Sequence, residues 1–157
     1  MNITIRRFQS GDLDTVFAIQ RAAFLPLYEK YHDDATSHYM ERKETVLRKY
    51  MRPGTTGYVF FADGIAVGAV RISTDTGRGR VSALCVLPEH QGKGIAQTAL
   101  REIERLHSDI VTWHLDTILE EAGNCHLYEK IGYVRTGQTE QLKENMTLVY
   151  YEKRVCD

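Results

Sequence analysis

The fold of this chain is decided by the stretch Val81-Ser82-Ala83-Leu84-Cys85-Val86-Leu87-Pro88-Glu89-His90-Gln91-Gly92-Lys93-Gly94-Ile95-Ala96. A short apolar run is interrupted by Pro88, and two glycines then precede a segment with helical periodicity, which predicts a strand, a tight turn and a helix. The first N–H groups of a helix are unpaired and carry partial positive charge, and glycine lets an anion approach them closely. Residues 91–96 are therefore predicted to bind a phosphate or pyrophosphate, and we name them the anion cradle.

The spacing of the glycines narrows the class of ligand. A Walker loop, Gly-x4-Gly-Lys-Ser/Thr, does not occur, and the dinucleotide fingerprint Gly-x-Gly-x-x-Gly would need glycine where Gln97 stands. The cradle does fit the pattern Gln/Arg-x-x-Gly-x-Gly/Ala, between a strand that ends before Pro88 and an amphipathic helix. In this context it resembles the acetyl-CoA-binding motif of the GNAT superfamily of N-acetyltransferases.

The composition excludes several classes of protein. A length of 157 residues suits one domain, 1–157, with a substantial core. A net charge of −1 implies no general attraction to nucleic acid or to an anionic membrane, and no apolar run approaches the length of a membrane span. The start of the chain lacks an apolar signal-peptide core, and Cys85, Cys125 and Cys156 show no metal-binding spacing. We expect a cytoplasmic protein with reduced thiols and no metal, nucleic-acid or membrane partner.

Hydrophobic periodicity and turn residues predict the element order β-α-α-β-β-β-α-β-α-β-β. Pro26 is expected to kink or end the first helix, and Asp63-Gly64 is expected to form a hairpin turn. Strands are predicted at residues 2–7, 58–62, 65–72, 80–87, 111–119, from 133, and 146–152, and helices from Ser10 or Asp12 to about 28, at 37–51, at about 95–106, and from about 120 to before Gly132.

This order predicts an α/β (α+β) chain with a mixed, mostly antiparallel sheet of about six to seven strands and about four helices. The central β-α-β unit contains the anion cradle. The GNAT superfamily has the same element order, so the resemblance covers nearly the whole chain.

A second match lies at Asn124-Cys125-His126-Leu127-Tyr128-Glu129-Lys130-Ile131-Gly132-Tyr133. It resembles the short helix that follows the fifth strand in the superfamily and ends Tyr-x-x-x-Gly-Phe/Tyr. The resemblance implies that Asn124 contacts the cofactor and that Tyr128 lies near its sulfur as general acid. Taken alone, the segment is a common helix ending in which Tyr128 is a core aromatic residue; the two matches together favour the catalytic interpretation.

The resemblance implies acetyl-CoA as the co-substrate. Backbone N–H groups of the anion cradle would bind its pyrophosphate, while the amide-like pantetheine arm would add as a strand beside the preceding apolar run. Lys93 either adds charge or is solvated. Cys85 is expected to be a buried, inert thiol because no His or acid is visibly paired with it, and the superfamily also transfers directly from CoA. The expected cofactor-binding residues are Leu84, Cys85, Val86, Gln91, Gly92, Lys93, Gly94, Ile95, Ala96 and Asn124.

Direct transfer requires a neutral amine, and an alkylamine has a pKa of about 10.4, so a base must remove its proton. Thr112, His114 and Asp116 share one face of their predicted strand. His114 and Asp116 are candidates for the base or for holding a water. A merely solvated strand face is the alternative interpretation.

In relatives the acceptor pocket lies around the first two helices. Here that region is rich in tyrosines and acids, which suit a cationic amine, although helix-packing tyrosines beside solvated acids are the alternative. The expected substrate-binding residues are Tyr28, Tyr31, Asp33 and Tyr39, with His32, Asp34 and Glu41 nearby. The resemblance thus implies an acetyl-CoA-dependent N-acyltransferase that transfers the acetyl group directly, in a ternary complex, to a primary amine of an unidentified acceptor. Members of the family are often homodimers, but the sequence does not determine the oligomeric state. A non-catalytic acyl-CoA-binding module and a nucleotide-binding or regulatory domain remain the alternatives.

Overall fold

The computed structural model describes residues 1–155, so the expectation of a reduced Cys156 lies outside the described residues. Seven strands and four α-helices follow one another in the predicted order. The strands are β1 (Ile3–Arg7), β2 (Thr55–Ala62), β3 (Ile65–Asp75), β4 (Arg78–Val86), β5 (Thr112–Ile118), β6 (Val134–Lys143) and β7 (Met146–Arg154). The helices are α1 (Leu13–Tyr31), α2 (Lys43–Tyr50), α3 (Ile95–Leu106) and α4 (Ala122–Lys130).

The strands form one mixed sheet in the order β1-β2-β3-β4-β5-β7-β6, in which β4 and β5 are parallel and the other pairs are antiparallel. The predicted fold class is therefore confirmed. One face of the sheet packs under α3 and α4, around Phe60, Leu100 and Trp113, and the other under α1 and α2, around Val16 and Val46. None of the helices within residues 1–155 combines the length and the apolar character needed to cross a bilayer.

Two predictions about the helices are wrong. α1 does not end near residue 28 but runs through Pro26 to Tyr31, and it closes at His32, which has a φ of 50° and donates to the Tyr28 carbonyl at 2.7 Å. Packing of α1 on β3 and β4 offsets the hydrogen bond that Pro26 cannot donate. The expected helix over 37–51 is divided into a 3₁₀ turn, His38–Met40, and α2, because Glu41 between them is extended with a ψ of 137°.

A β-bulge in β4 shapes the centre of the sheet. Ala69 pairs with Cys85 and Arg71 pairs with Ser82, so two residues of β4, one of them Ala83, lie opposite a single residue of β3. Ala83 has a φ of 53°, in the left-handed region that alanine rarely adopts. The bulge bends β4, and β4 pairs with β5 only through residues 78–80. Beyond this point the two strands separate.

Candidate functional site

A cavity of about 770 Å³ lies where β4 and β5 separate, and we name it the β4–β5 cavity. The second half of β4 and the start of α3 line one end of it. The end of α1 and the loop that follows line the other end, while the second half of β5 and one side of α4 lie between the two. One cavity thus joins the anion cradle to the region where the sequence predicts an acceptor.

The backbone of the anion cradle is set by its two glycines. Gly92 and Gly94 have φ values of 74° and 80°, and a Cβ added to either would meet no atom within 4 Å. The glycines are therefore required by the left-handed backbone, and the space in front of them is open. Thr98 is the first residue of α3 whose N–H bonds to a carbonyl, that of Gly94 at 3.0 Å. The preceding N–H groups have no partner inside the helix and are available to an anion.

The edge of β4 continues from the cradle along the cavity. Leu84, Cys85 and Val86 line it beyond the last pairing with β5, and Gln91 joins the turn to the strand by donating to the Val86 carbonyl at 2.9 Å. The predicted contact Lys93 is exposed and is not part of the cavity wall. Ile95 and Ala96 line the cavity at the first turn of α3.

Cys85 is unsuited to act as a nucleophile. Its thiol is buried and lies 3.7 Å from the Ala69 carbonyl oxygen. Burial raises the pKa of Cys85 to about 12, against a smaller opposing effect of that contact, so the thiol stays protonated at neutral pH.

Tyr128 lies on α4 with its side chain in the cavity wall. It is 8% exposed, packs edge-on against Tyr133 at 6.0 Å, and its hydroxyl makes no hydrogen bond to any residue in the described part of the chain. Burial, and then the nearby Asp116 carboxylate, raise the pKa of Tyr128 well above its usual value. The phenol therefore holds its proton at neutral pH. Asn124, one of the other predicted contacts, is exposed and lines the same cavity from the start of α4.

The structure separates the two candidates for the base. Asp116 lines the cavity, and its Oδ2 forms an ion pair with Arg80. His114 is paired with Arg80 at the last position where β4 and β5 are joined, and it does not line the cavity. Burial, followed by the charge of Arg78, lowers the pKa of His114. The geometry thus leaves Asp116 as the candidate that can reach a ligand.

The predicted substrate-binding tyrosines occupy different positions. Tyr28 and Tyr31 line the cavity, whereas Tyr39 does not and instead stacks on Tyr28 with ring centroids 5.1 Å apart. Tyr39 also accepts a hydrogen bond from Arg21 at 2.9 Å. Tyr39 therefore supports the wall of the cavity from behind.

The acids of this region already have partners. Asp33 lines the cavity but accepts from the backbone N–H groups of the turn after it, at 3.2 and 3.3 Å, and Asp34 accepts from Tyr28 at 2.5 Å. Glu41 lies outside the cavity wall and accepts from Gln20, His38 and Lys49. Burial opposes ionisation of Glu41, but the hydrogen bonds from His38 and Lys49 outweigh it and lower its pKa to about 2.

Two residues at this end of the cavity, Glu121 and Lys143, are not among the predicted site residues. Glu121 lies at the start of the helix predicted from about residue 120; it is the N-cap residue of α4, and it lines the cavity. Lys143, at the end of β6, donates to the carbonyls of Tyr31 and His32 at 2.7 and 2.9 Å. Both residues contact the end of α1 from more than 85 positions away, so no local motif could identify them.

Comparison with known proteins identifies the family. The acetyltransferase (GNAT) domain matches residues 19–155, which is most of the chain. The chain therefore belongs to the GNAT family, and it is an enzyme of the acetyltransferase class. It is 28% identical over 132 residues to an uncharacterised N-acetyltransferase of Methanocaldococcus jannaschii, covering 82% of this chain and 76% of that protein.

Solved structures share the fold. The PaiA N-acetyltransferase from Thermoplasma acidophilum, in complex with coenzyme A, has a TM-score of 0.77 at 21% identity and covers 99% of this chain and 100% of its own. The spermidine N-acetyltransferase from Vibrio cholerae, in complex with CoA and spermine, has a TM-score of 0.74 at 19% identity, with coverage of 97% and 95%. At these identities the similarity shows the fold alone.

Proposed function

We propose that this protein transfers the acetyl group of acetyl-CoA directly to a primary amine, while both substrates are bound in the β4–β5 cavity. One observation carries the proposal: the cavity connects the open cradle to a wall that presents both the Asp116 carboxylate and the Tyr128 hydroxyl. A binding module needs only the first of these features. The presence of a proton acceptor and a proton donor in the same cavity supports catalysis.

Acetyl-CoA fits the chemistry of the cradle end. Its pyrophosphate is an anion, and the unpaired N–H groups at the start of α3 are donors that carry partial positive charge. The pantetheine arm carries amides that can pair with the free backbone edge of β4 at Leu84 to Val86. The co-substrate supplies a thioester, which would then lie toward the middle of the cavity, between the walls formed by α4 and β5.

Asp116 and Tyr128 account for the proton transfers of the proposed reaction. The acceptor ammonium loses a proton to Asp116, directly or through one water, and its nitrogen then attacks the thioester carbonyl carbon. The carbon–sulfur bond breaks, and its electron pair leaves with the sulfur. Tyr128, which stays protonated at working pH, donates its proton to the sulfur as negative charge develops there. The acylated nitrogen then gives its second proton to the Tyr128 phenolate, directly or through water, which yields the neutral amide and restores the phenol.

Thiol release tests the proposal directly. The enzyme is mixed with acetyl-CoA and a panel of primary amines, with tertiary amines of similar size as the control, because these cannot form a stable amide. We expect release of CoA that depends on a primary amine, with one acetylated amine detected by mass spectrometry for each CoA released. Binding of CoA without amine-dependent release would instead support a non-catalytic module.

A further inference from the structure

The acceptor end of the β4–β5 cavity contains a carboxylate that already binds an ammonium group of the chain itself. Glu121 Oε2 accepts from Lys30 Nζ and from the Tyr31 hydroxyl, both at 2.6 Å. The same Lys30 nitrogen lies 5.2 Å from the centre of the Tyr31 ring. A carboxylate beside an aromatic face is a combination that recognises an alkylammonium ion.

Lys30 and the two residues that bind its ammonium group differ in whether they line the cavity. Glu121 and Tyr31 line it, whereas Lys30 does not, and the Lys30 side chain is 54% exposed. An exposed ion pair of this kind is weak, so Lys30 can leave Glu121 at little cost. The second oxygen of Glu121, Oε1, accepts no hydrogen bond from residues 1–155. An ammonium that enters through the cavity can therefore reach this carboxylate.

The charges on the cavity wall favour the same kind of ligand. Three carboxylates, those of Asp33, Asp116 and Glu121, line the cavity against one ammonium, that of Lys130. Asp33 is engaged by its own turn and Asp116 by Arg80. Of the three, Glu121 is the one bound to an exposed lysine ammonium, and it contacts the last two residues of α1, Lys30 and Tyr31.

We propose that Glu121 and Tyr31 form a subsite for a second ammonium group of the acceptor, which replaces Lys30 there. The acceptor is accordingly an alkyl diamine or polyamine, with one nitrogen at Asp116 for acetylation and another at Glu121. This inference rests on the proposed transfer to an amine and adds the class of the acceptor to it. Lys30 holds the subsite in the absence of the acceptor and competes with it.

A similar arrangement elsewhere in the chain provides a matched control. Lys43 Nζ contacts Asp14 at 2.8 Å and lies 5.6 Å from the centre of the Phe17 ring. None of these three residues lines the cavity. Loss of this ammonium changes the net charge of the protein by the same amount as loss of Lys30, but it leaves the proposed subsite intact.

The test compares KM for diamines of three to six carbons with KM for alkyl monoamines of the same length. The readout is the ratio of the two values within each variant, which cancels general damage to the enzyme. We expect wild type to prefer the diamine at one chain length. Lys30→Met should strengthen that preference about two- to fivefold, since an exposed ion pair competes only weakly. Glu121→Gln should weaken the preference roughly tenfold, because a charge-assisted hydrogen bond is lost, and Lys43→Met should leave it unchanged.

Calorimetric binding of the best diamine to the CoA complex separates this inference from the proposed function. Diamine binding that Glu121→Gln weakens, without any acetyl transfer, would contradict the transfer proposal and retain the subsite. Transfer to amines with the same diamine-to-monoamine ratio in wild type, Lys30→Met and Glu121→Gln would overturn the subsite and retain the transfer proposal. An equal shift in Lys43→Met would also overturn it, because the effect would then be one of net charge.

Discussion

The two ends of the β4–β5 cavity are built in different ways. The cradle end consists of backbone groups from one continuous stretch, which runs from the bulge at Ala83 to the first turn of α3. The acceptor end, formed by the end of α1 and the segments that contact it, is called the α1 end below. It consists of side chains that meet only in the folded protein, such as Tyr31 and Glu121, which are 90 positions apart. Backbone N–H groups bind the same ligand whatever the side chains are, so they suit a ligand that a whole family shares. Side chains that contact one another across a cavity can be substituted without loss of the fold. We infer that the cradle end determines the donor of the acetyl group and the α1 end determines its acceptor.

The largest effect is expected at Tyr128, between the two ends. Tyr128→Phe removes the hydroxyl that would protonate the departing sulfur and keeps the packing of the ring. It should lower kcat by roughly 10²–10⁴ and leave acetyl-CoA affinity nearly unchanged, because the lost interaction strengthens only in the transition state. Tyr133→Phe is the control, since Tyr133 is buried against Tyr128 but does not line the cavity. A full kcat in Tyr128→Phe would make Tyr128 a core residue only.

The next largest effect is expected at Asp116. Asp116→Asn should lower kcat/KM by about 10²-fold, because the amide accepts no proton. His114→Gln should change kcat/KM by less than about threefold, since His114 lies outside the cavity wall. Steady-state kinetics across the pH range would check both variants. Identical profiles for wild type and Asp116→Asn would remove Asp116 from the mechanism.

Gly94→Val tests the cradle end alone. Valine at a φ of 80° is strained, and its side chain would occupy the open space before α3, so the Kd for CoA should rise more than about tenfold. Gly64→Val is the control, because Gly64 has a φ of 83° and valine there is strained in the same way. Gly64 lies in the β2–β3 turn, outside the cavity wall, so this variant should bind CoA as wild type does. Calorimetry on both folded variants separates blockage from strain. Equal Kd values for wild type and Gly94→Val would contradict the cradle assignment.

Glu41 should matter for stability and hardly at all for catalysis. Its folded pKa of about 2 lies below its unfolded value near 4.5, so its ionised form stabilises the fold at pH 7. That stabilisation is fully present above about 4.5 and is lost as pH falls toward about 2. Urea unfolding should show Glu41→Gln less stable by roughly 2 kcal/mol at pH 7, with a smaller difference at pH 3. A large rise in the acceptor KM would instead place Glu41 in the binding site.

The sequence predicted those features that short-range patterns determine. The order of the strands and helices follows from periodicity and turn residues, and the left-handed glycines of the cradle follow from the spacing of Gly92 and Gly94. The continuation of α1 through Pro26 could not be predicted, because packing on the sheet outweighs one lost hydrogen bond.

The α1 end was less predictable for the same physical reason. The residue types of Asp33, Asp34 and Glu41 indicate a cationic ligand. In the fold, however, Asp33 accepts hydrogen bonds within its own turn, Asp34 accepts one from Tyr28, and Glu41 forms an ion pair with Lys49. Glu121 carries the carboxylate that remains accessible, and its position depends on contacts with Lys30 and Tyr31 from a distant segment. The sequence pattern puts His114 and Asp116 on the same face of one strand. It does not indicate that β4 and β5 stop pairing between these two positions.

A crystal structure of the protein with bound CoA tests the central claim most directly. We predict that the pyrophosphate accepts hydrogen bonds of about 3 Å from N–H groups of residues 92–96, with the pantetheine arm along β4. The CoA sulfur should lie within about 4 Å of the Tyr128 hydroxyl. CoA bound outside the β4–β5 cavity, or with its sulfur directed away from both Tyr128 and Asp116, would contradict the account.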